Sequence, residues 1–165
     1  MRLALLLMTA CAATFVWITA ASLPAMMASH FDASGAANGF MQRASYVHFM
    51  LAIVVAAPLA TGLLPGLLLQ VPGIRINLPN RDYWLAPERR AATIASLQRQ
   101  MAGFAVLLVI FLAYVHWLTV RANQTIPPTL PSRWFFGGLI VFVVAVALWI
   151  GVLNQRFRLP SQRSQ

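Results

Sequence analysis

WFFGGLIVFVVAVALWIGVL, residues Trp134–Leu153, holds no charged side chain. At 1.5 Å per residue a helix of that length reaches about 30 Å, the thickness of a bilayer's hydrocarbon core. Hydrocarbon offers no water to a peptide group, so such a run must pair its own amides as a helix, and its length suits a helix better than a tilted barrel strand. Three other runs share the character: Leu3–Ala21, Tyr46–Leu64 and Ala102–Val120, again without Lys, Arg, Asp or Glu. The reading is an all-α membrane protein of one domain over 1–165, with four transmembrane helices, an outer loop over 22–45 and a cytoplasmic connection over 65–101.

Composition agrees. The chain has 165 residues, 60% apolar and 9% charged, with a mean hydropathy of +0.74. A water-soluble globule could not cover that much apolar surface. The net charge of +9 comes from twelve arginines against Asp32, Asp82 and Glu88. These arginines stand singly or in pairs between apolar runs, which fits membrane flanks drawn to anionic headgroups and argues against nucleic acid. One cysteine, Cys11, excludes an intrachain disulfide.

Orientation follows from the arginines, because basic short loops stay in the cytoplasm. Nine lie at the N-terminus (Arg2), in the connection (Arg75, Arg81, Arg89, Arg90, Arg99) and in the tail (Arg156, Arg158, Arg163). The other two loops hold only Arg43, Arg121 and Arg133. Both termini and the connection are therefore expected inside. A signal peptide ending near Ala20, Ala21 and Ser22 is the other reading of the first run, although that run is longer than a typical h-region.

Aromatic residues fall where interfacial belts require them, with Trp17, Tyr46, Tyr114, Trp117 and Trp134 at outer ends and Tyr83, Trp84 and Trp149 at inner ones. Pro58 removes a backbone donor inside the second span and predicts a kink, and Gly62, Pro65 and Gly66 loosen its inner end. Asn77 to Ala86 reads as an irregular segment along the inner surface. Pro87 opens a helix with Glu88 at its positive end, and Ala91, Ile94, Leu97 and Met101 recur at helical spacing. That predicts an amphipathic inner-surface helix feeding the third span. The tail from Leu159 to Gln165 is expected to be disordered.

Between the first two spans come Leu23-Pro24, then His30-Phe31-Asp32-Ala33-Ser34-Gly35, then Gly39 and Arg43. This pattern resembles the domain of unknown function 1648 family, found in bacterial multi-span membrane proteins that include immunity proteins against the sporulation-delaying toxin peptide. That family carries a Pro, a His-Phe-Asn or His-Phe-Asp step and a Gly at this place, which match Pro24, His30, Phe31, Asp32 and Gly35. A second piece, from Asn77, Pro79, Asn80, Asp82, Tyr83 and Trp84 to Pro87, Glu88, Arg89 and Arg90, resembles a segment of small uncharacterised bacterial proteins with the same domain. The chain is shorter than the immunity proteins and has four spans where they have more. The resemblance implies a bacterial inner-membrane protein whose outer loop is built around His30 and Asp32.

By depth, His48 and His116 each sit about 7 Å below the outer boundary, under His30 and Asp32. Imidazole and carboxylate suit Zn, Cu or Ni, so His30, Asp32, His48 and His116 form a candidate metal or proton-sensing group. The plainer alternative is that His48 and His116 are interfacial or join helices by hydrogen bonds, while His30 and Asp32 organise their own loop. His48 and His116 are also a candidate pair of haem ligands between helices two and three. In the loop, Asp32 and Ser34 can bond nearby amides, Gly35 and Gly39 allow tight turns, and Phe31 can plug the helix ends.

Enzyme chemistry finds no support, since Asp32 and the pair Asp82 and Glu88 fall on opposite sides and Cys11 lies in an apolar span. Asp82, Glu88, Arg89 and Arg90 read as a solvated ion-pair surface, with docking of a cytoplasmic partner as the other use. No cofactor is specified. Expected partners are the lipid bilayer and another membrane protein or an external peptide. The function expected is a non-enzymatic sensing or toxin-immunity-type module, and the alternative is a small metal-binding or haem-binding carrier, which would need an oligomer to make a path.

Overall fold

The computed structural model of the chain describes residues 1–68, 71 and 77–159. Helix α1 (Arg2–Thr19) tightens into a 3-10 turn (Ala20–Ser22). Strands β1 (Met26–Phe31) and β2 (Ala37–Gln42) follow, then helices α2 (Arg43–Leu68), α3 (Arg81–Trp84), α4 (Pro87–Ala122) and α5 (Ser132–Arg156). Four helical stretches, Arg2–Ser22, Arg43–Leu68, Pro87–Ala122 and Ser132–Arg156, are long and apolar enough to cross a membrane. Within the stretch expected as the outer loop, β1 and β2 form an antiparallel hairpin, the one sheet among the described residues of an otherwise helical chain. Arg75, Arg163 and the tail beyond Leu159 lie outside those residues.

Helix α2 runs through both Pro58 and Pro65 to Leu68, past its expected end. Pro58 belongs to the buried stripe Tyr46, Met50, Val54, Pro58, Gly62, Gly66, which repeats every four residues. Its ring therefore packs against neighbouring helices, and tertiary support of this kind lets a proline stay inside a membrane helix. Helix α4 has 36 residues, with Pro87 in its first turn beside Glu88. The amphipathic helix expected from Pro87 and the third span are thus one unbroken rod of about 54 Å.

Helices α1, α2 and α4 share one core, in which Leu5, Ala12 and Val16 meet Tyr46, Met50 and Val54 and Ala105 and Val109. A Cβ added at Gly62 would strike Leu5 Cδ2 and lie 3.0 Å from Ala105 Cβ. Small residues matter here because lipid tails are as apolar as the helices, so close packing must do what hydrophobic burial does in water. At this end of the bundle Gln98 accepts a hydrogen bond from Arg2 Nη2 at 3.1 Å and donates from Nε2 to the Gly66 carbonyl at 3.2 Å.

Helix α5 has no buried residue and is held to α4 by aromatic contacts. Phe111 and Phe142 stack at 4.2 Å, Phe104 meets Trp149 at 4.9 Å, and the Trp149 indole donates to the Gln100 carbonyl at 3.1 Å. Tyr114 donates to the Trp134 carbonyl at 2.5 Å, its ring lying where Gly138 leaves room.

The segment before α4 is ordered rather than irregular. Asn80 adopts a left-handed conformation, φ 54°, that starts α3, and its Nδ2 donates to the Phe157 carbonyl at 3.0 Å. Trp84 Nε1 donates to the same carbonyl at 2.7 Å, and its ring meets Phe157 edge-on at 5.6 Å. Thr93 donates to the Trp84 carbonyl at 2.8 Å. Leu78, Leu97 and Phe157 are buried together in a second small core. This segment clamps the end of α5.

Candidate functional site: the hairpin end of the bundle

Strand β1 pairs with β2 from Met26 with Gln42 to Phe31 with Ala37, and the register skips Ser29 on β1 and Asn38 on β2. At the tip, Asp32 Oδ1 accepts from Ser34 N–H at 2.8 Å, Ser34 Oγ at 2.6 Å and Ala36 N–H at 3.0 Å. The Ser34 hydroxyl, aided by the amides of Ala36, Ser34 and Gly35 and opposed by desolvation, holds the Asp32 carboxyl below its ordinary value. Gly35 has φ +93°, and a Cβ there would strike the Leu130 carbonyl and Ser132 Oγ, so glycine is required on two grounds. Its own carbonyl accepts from Leu130 N–H at 2.8 Å, which docks the tip onto the α4–α5 connection.

Three further contacts fix the hairpin to the bundle. Met27 and Ala28 are fully buried, and Met27 joins the core of α1, α2 and α4. Arg43 donates from Nη1 to the carbonyls of Leu23 at 2.9 Å and Ala21 at 3.3 Å, satisfying the end of the first helical segment. Asn123, just past α4, accepts from Ala28 N–H at 2.8 Å through Oδ1 and donates to the Ala28 carbonyl at 2.9 Å through Nδ2. Its amide thus stands in for a neighbouring strand along β1.

The Asn123 contact fixes the geometry across the hairpin. Ala28 faces Phe40, and Ala28 turns both backbone groups outward to Asn123. In an antiparallel ladder the two members of such a pair both point away from each other. Phe40 therefore presents N–H and C=O on the outer edge of β2, where the described residues supply no third strand, and its ring is 56% exposed. One edge of the hairpin is capped and the other is open.

Directly beneath lies His116, fully buried on α4. Its Nε2 is 2.8 Å from Thr19 Oγ1 on α1, and its Nδ1 is 2.9 Å from the Tyr46 hydroxyl on α2. Thr19 already donates its proton to the Phe15 carbonyl at 2.7 Å, so its oxygen accepts from His116 Nε2–H. Nδ1 is then the acceptor and Tyr46 the donor. The Tyr46 ring stacks on the imidazole at 5.7 Å and Phe15 meets it edge-on at 5.6 Å. The imidazole is a three-helix junction with both nitrogens in use.

The four candidate ligands are not brought together. Among the described residues no group of three or more His, Cys, Asp or Glu is placed to hold a metal ion. His48 is two residues from Tyr46, about 200° round the helix, so it is exposed and shares a surface hollow with Trp17 and Arg43. That rotation also separates His48 from His116 as a facing pair of haem ligands. His30 is exposed on β1, its Nδ1 3.0 Å from Ser29 Oγ and its ring lying over Gly39. Asp32 belongs to the tip. Pro24 is an exposed link between the 3-10 turn and β1. Phe31 is half-buried, paired with Ala37 in the sheet, instead of plugging the helix ends.

At the far end, Asn80 and Trp84 serve the Phe157 clamp, and Leu78 joins the second core. Arg89 lies over the Tyr83 ring at 4.0 Å and donates to the Tyr83 carbonyl at 3.4 Å, so its guanidinium is engaged by an aromatic residue. Asp82 and Glu88 occupy the first turns of α3 and α4, as helix dipoles favour. Asn77, Pro79 and Arg90 enter no contact that defines a site.

No curated protein and no solved structure matches the chain. Residues 6–56, which run from α1 through the hairpin into the first half of α2, match the family model described as Domain of unknown function (DUF1648), in keeping with the resemblance carried by Pro24, His30, Phe31, Asp32 and Gly35.

Proposed function

We propose that the chain is a non-enzymatic module of a bacterial cytoplasmic membrane that senses, or protects against, an extended external peptide. Both termini lie in the cytoplasm in this reading and the hairpin faces outward, supported by nine arginines on one side against three on the other. The observation that carries the reading is the open edge at Phe40 on a hairpin whose opposite edge is capped by Asn123. An exposed strand edge beside an exposed aromatic ring is a template for an incoming strand, with main-chain bonds giving affinity and the ring giving selectivity. The family resemblance, through immunity proteins that meet a peptide toxin, supports the same class of partner.

Phe40→Pro tests it. The substitution removes the outward N–H and the ring while leaving the ladder to β1 intact. Cells expressing this variant at normal abundance should lose their response to secreted membrane-active peptides that the parent chain confers. A retained response at equal abundance would reject the proposal. Replacing His30 and Asp32 together separates the tip's roles: lost abundance means support of the fold, and normal abundance with lost response means recognition.

A further inference from the structure

A groove of about 510 Å³ lies between α4 and α5, walled by Leu107, Phe111, Gly137, Val141 and Ala145, with Arg133 and Trp134 at one end. We propose that it is a binding site for one acyl chain of an anionic phospholipid, whose phosphate rests against Arg133 at the start of α5.

Dimensions select the occupant. From Arg133 to Ala145 the groove follows α5 for about 18 Å at 1.5 Å per residue, close to the half-thickness of about 15 Å that one leaflet's chains fill. The groove's wall is apolar apart from Tyr114 and the Arg133–Trp134 end, which suits one extended hydrocarbon chain with its charged group at the Arg133 mouth.

Charge selects the headgroup. Arg133 lines the mouth in the first turn of α5, which starts after Pro131 without a side-chain cap, so its free amides and dipole favour phosphate in concert with the guanidinium. A second guanidinium, Arg121, lies 5.8 Å over the Trp117 ring, and Trp117 neighbours Tyr114 on the groove wall. Three aromatic side chains and two arginines thus gather at the depth where headgroups lie. At Gly137 an added Cβ meets nothing within 4 Å, which leaves the groove open where a side chain would have filled it.

The test is native mass spectrometry of the detergent-purified chain with phosphatidylglycerol or phosphatidylcholine added. The parent chain should retain one phosphatidylglycerol, at least fivefold in preference to phosphatidylcholine. Gly137→Leu, which fills the groove and adds helix propensity, should lose the bound lipid at least fivefold, and Arg133→Gln should abolish the preference between headgroups. Equal retention by parent and Gly137→Leu, or no headgroup preference in the parent, overturns the proposal, as does a dimer of the parent that Gly137→Leu dissolves. Independently of any variant, phosphatidylglycerol carrying a photoreactive acyl group should label peptides from α4 and the facing side of α5. Labelling spread evenly over all four long helices overturns it too.

Discussion

His116 and Gln98 stand eighteen residues apart on α4, five full turns, so they project from the same face about 27 Å from each other. Each reaches both α1 and α2, His116 through Thr19 and Tyr46, Gln98 through Arg2 and the Gly66 carbonyl. Their spacing approaches the thickness of the hydrocarbon core. Two polar brackets therefore close the ends of a three-helix unit whose middle, among the described residues, is held by packing, with the Thr9 hydroxyl buried there and given no partner by them.

His116→Ala should weaken the unit by roughly 2–3 kcal/mol, from two lost interhelical bonds and the space the ring vacates. Tyr46→Phe should cost less, about 1 kcal/mol, because the imidazole, its bond to Thr19 and the aromatic ring all stay in place. Reversible unfolding in mixed micelles measures both, and an unchanged midpoint for His116→Ala would show that the junction carries no weight. Nitrogen chemical shifts of His116 should report the Nε2–H tautomer.

Gly62→Val should loosen α1 from α2 and α4. The added carbons meet Leu5 and Ala105, and overpacking of this sort costs about 1–3 kcal/mol. The same unfolding assay applies, with a neutral result arguing against the close approach at this level.

Acid should loosen the hairpin tip. The Asp32 pKa is depressed below 3.8 in the folded chain, so its contribution is fully present above that value and is lost as pH falls through the lower folded-state pKa. Amide shifts of Ser34 and Ala36 should move together in that acid range. In Asp32→Asn that acid transition should vanish, and its persistence would assign it to another group.

The clamp on the tail should be separable from the three-helix unit. Trp84→Ala removes a donor and a ring from Phe157, so trypsin should cut at Arg156 or Arg158 about tenfold faster, with α1, α2 and α4 unaffected. Equal cutting rates would mean that α5 is held by other contacts.

Composition made the four long helices legible, because an uncharged run of about 20 residues has few other homes. The hairpin was less so. Met26–Phe31 and Ala37–Gln42 hold no β-branched residue, and the propensity that marks most strands was missing. A usable signal was present: an Asp-Ala-Ser-Gly turn between two six-residue runs, in a loop too long to stay structureless in a small domain. Depth alone put His48 and His116 together, whereas facing depends on rotation as well. The every-fourth stripe through Tyr46 and Pro58 turns His48 outward. Asn123 gave no local sign, since its partner Ala28 is 95 residues away.

Residue-resolved hydrogen exchange at Ala28 and Phe40 addresses the central claim most directly, because the two face each other in the ladder and both turn their amides outward. With no peptide added, the Ala28 amide, held by Asn123 at 2.8 Å, should exchange at least a hundredfold more slowly than that of Phe40, and Asn123→Ala should erase most of the difference. Equal protection at the two positions would contradict a hairpin with one edge capped and the other open.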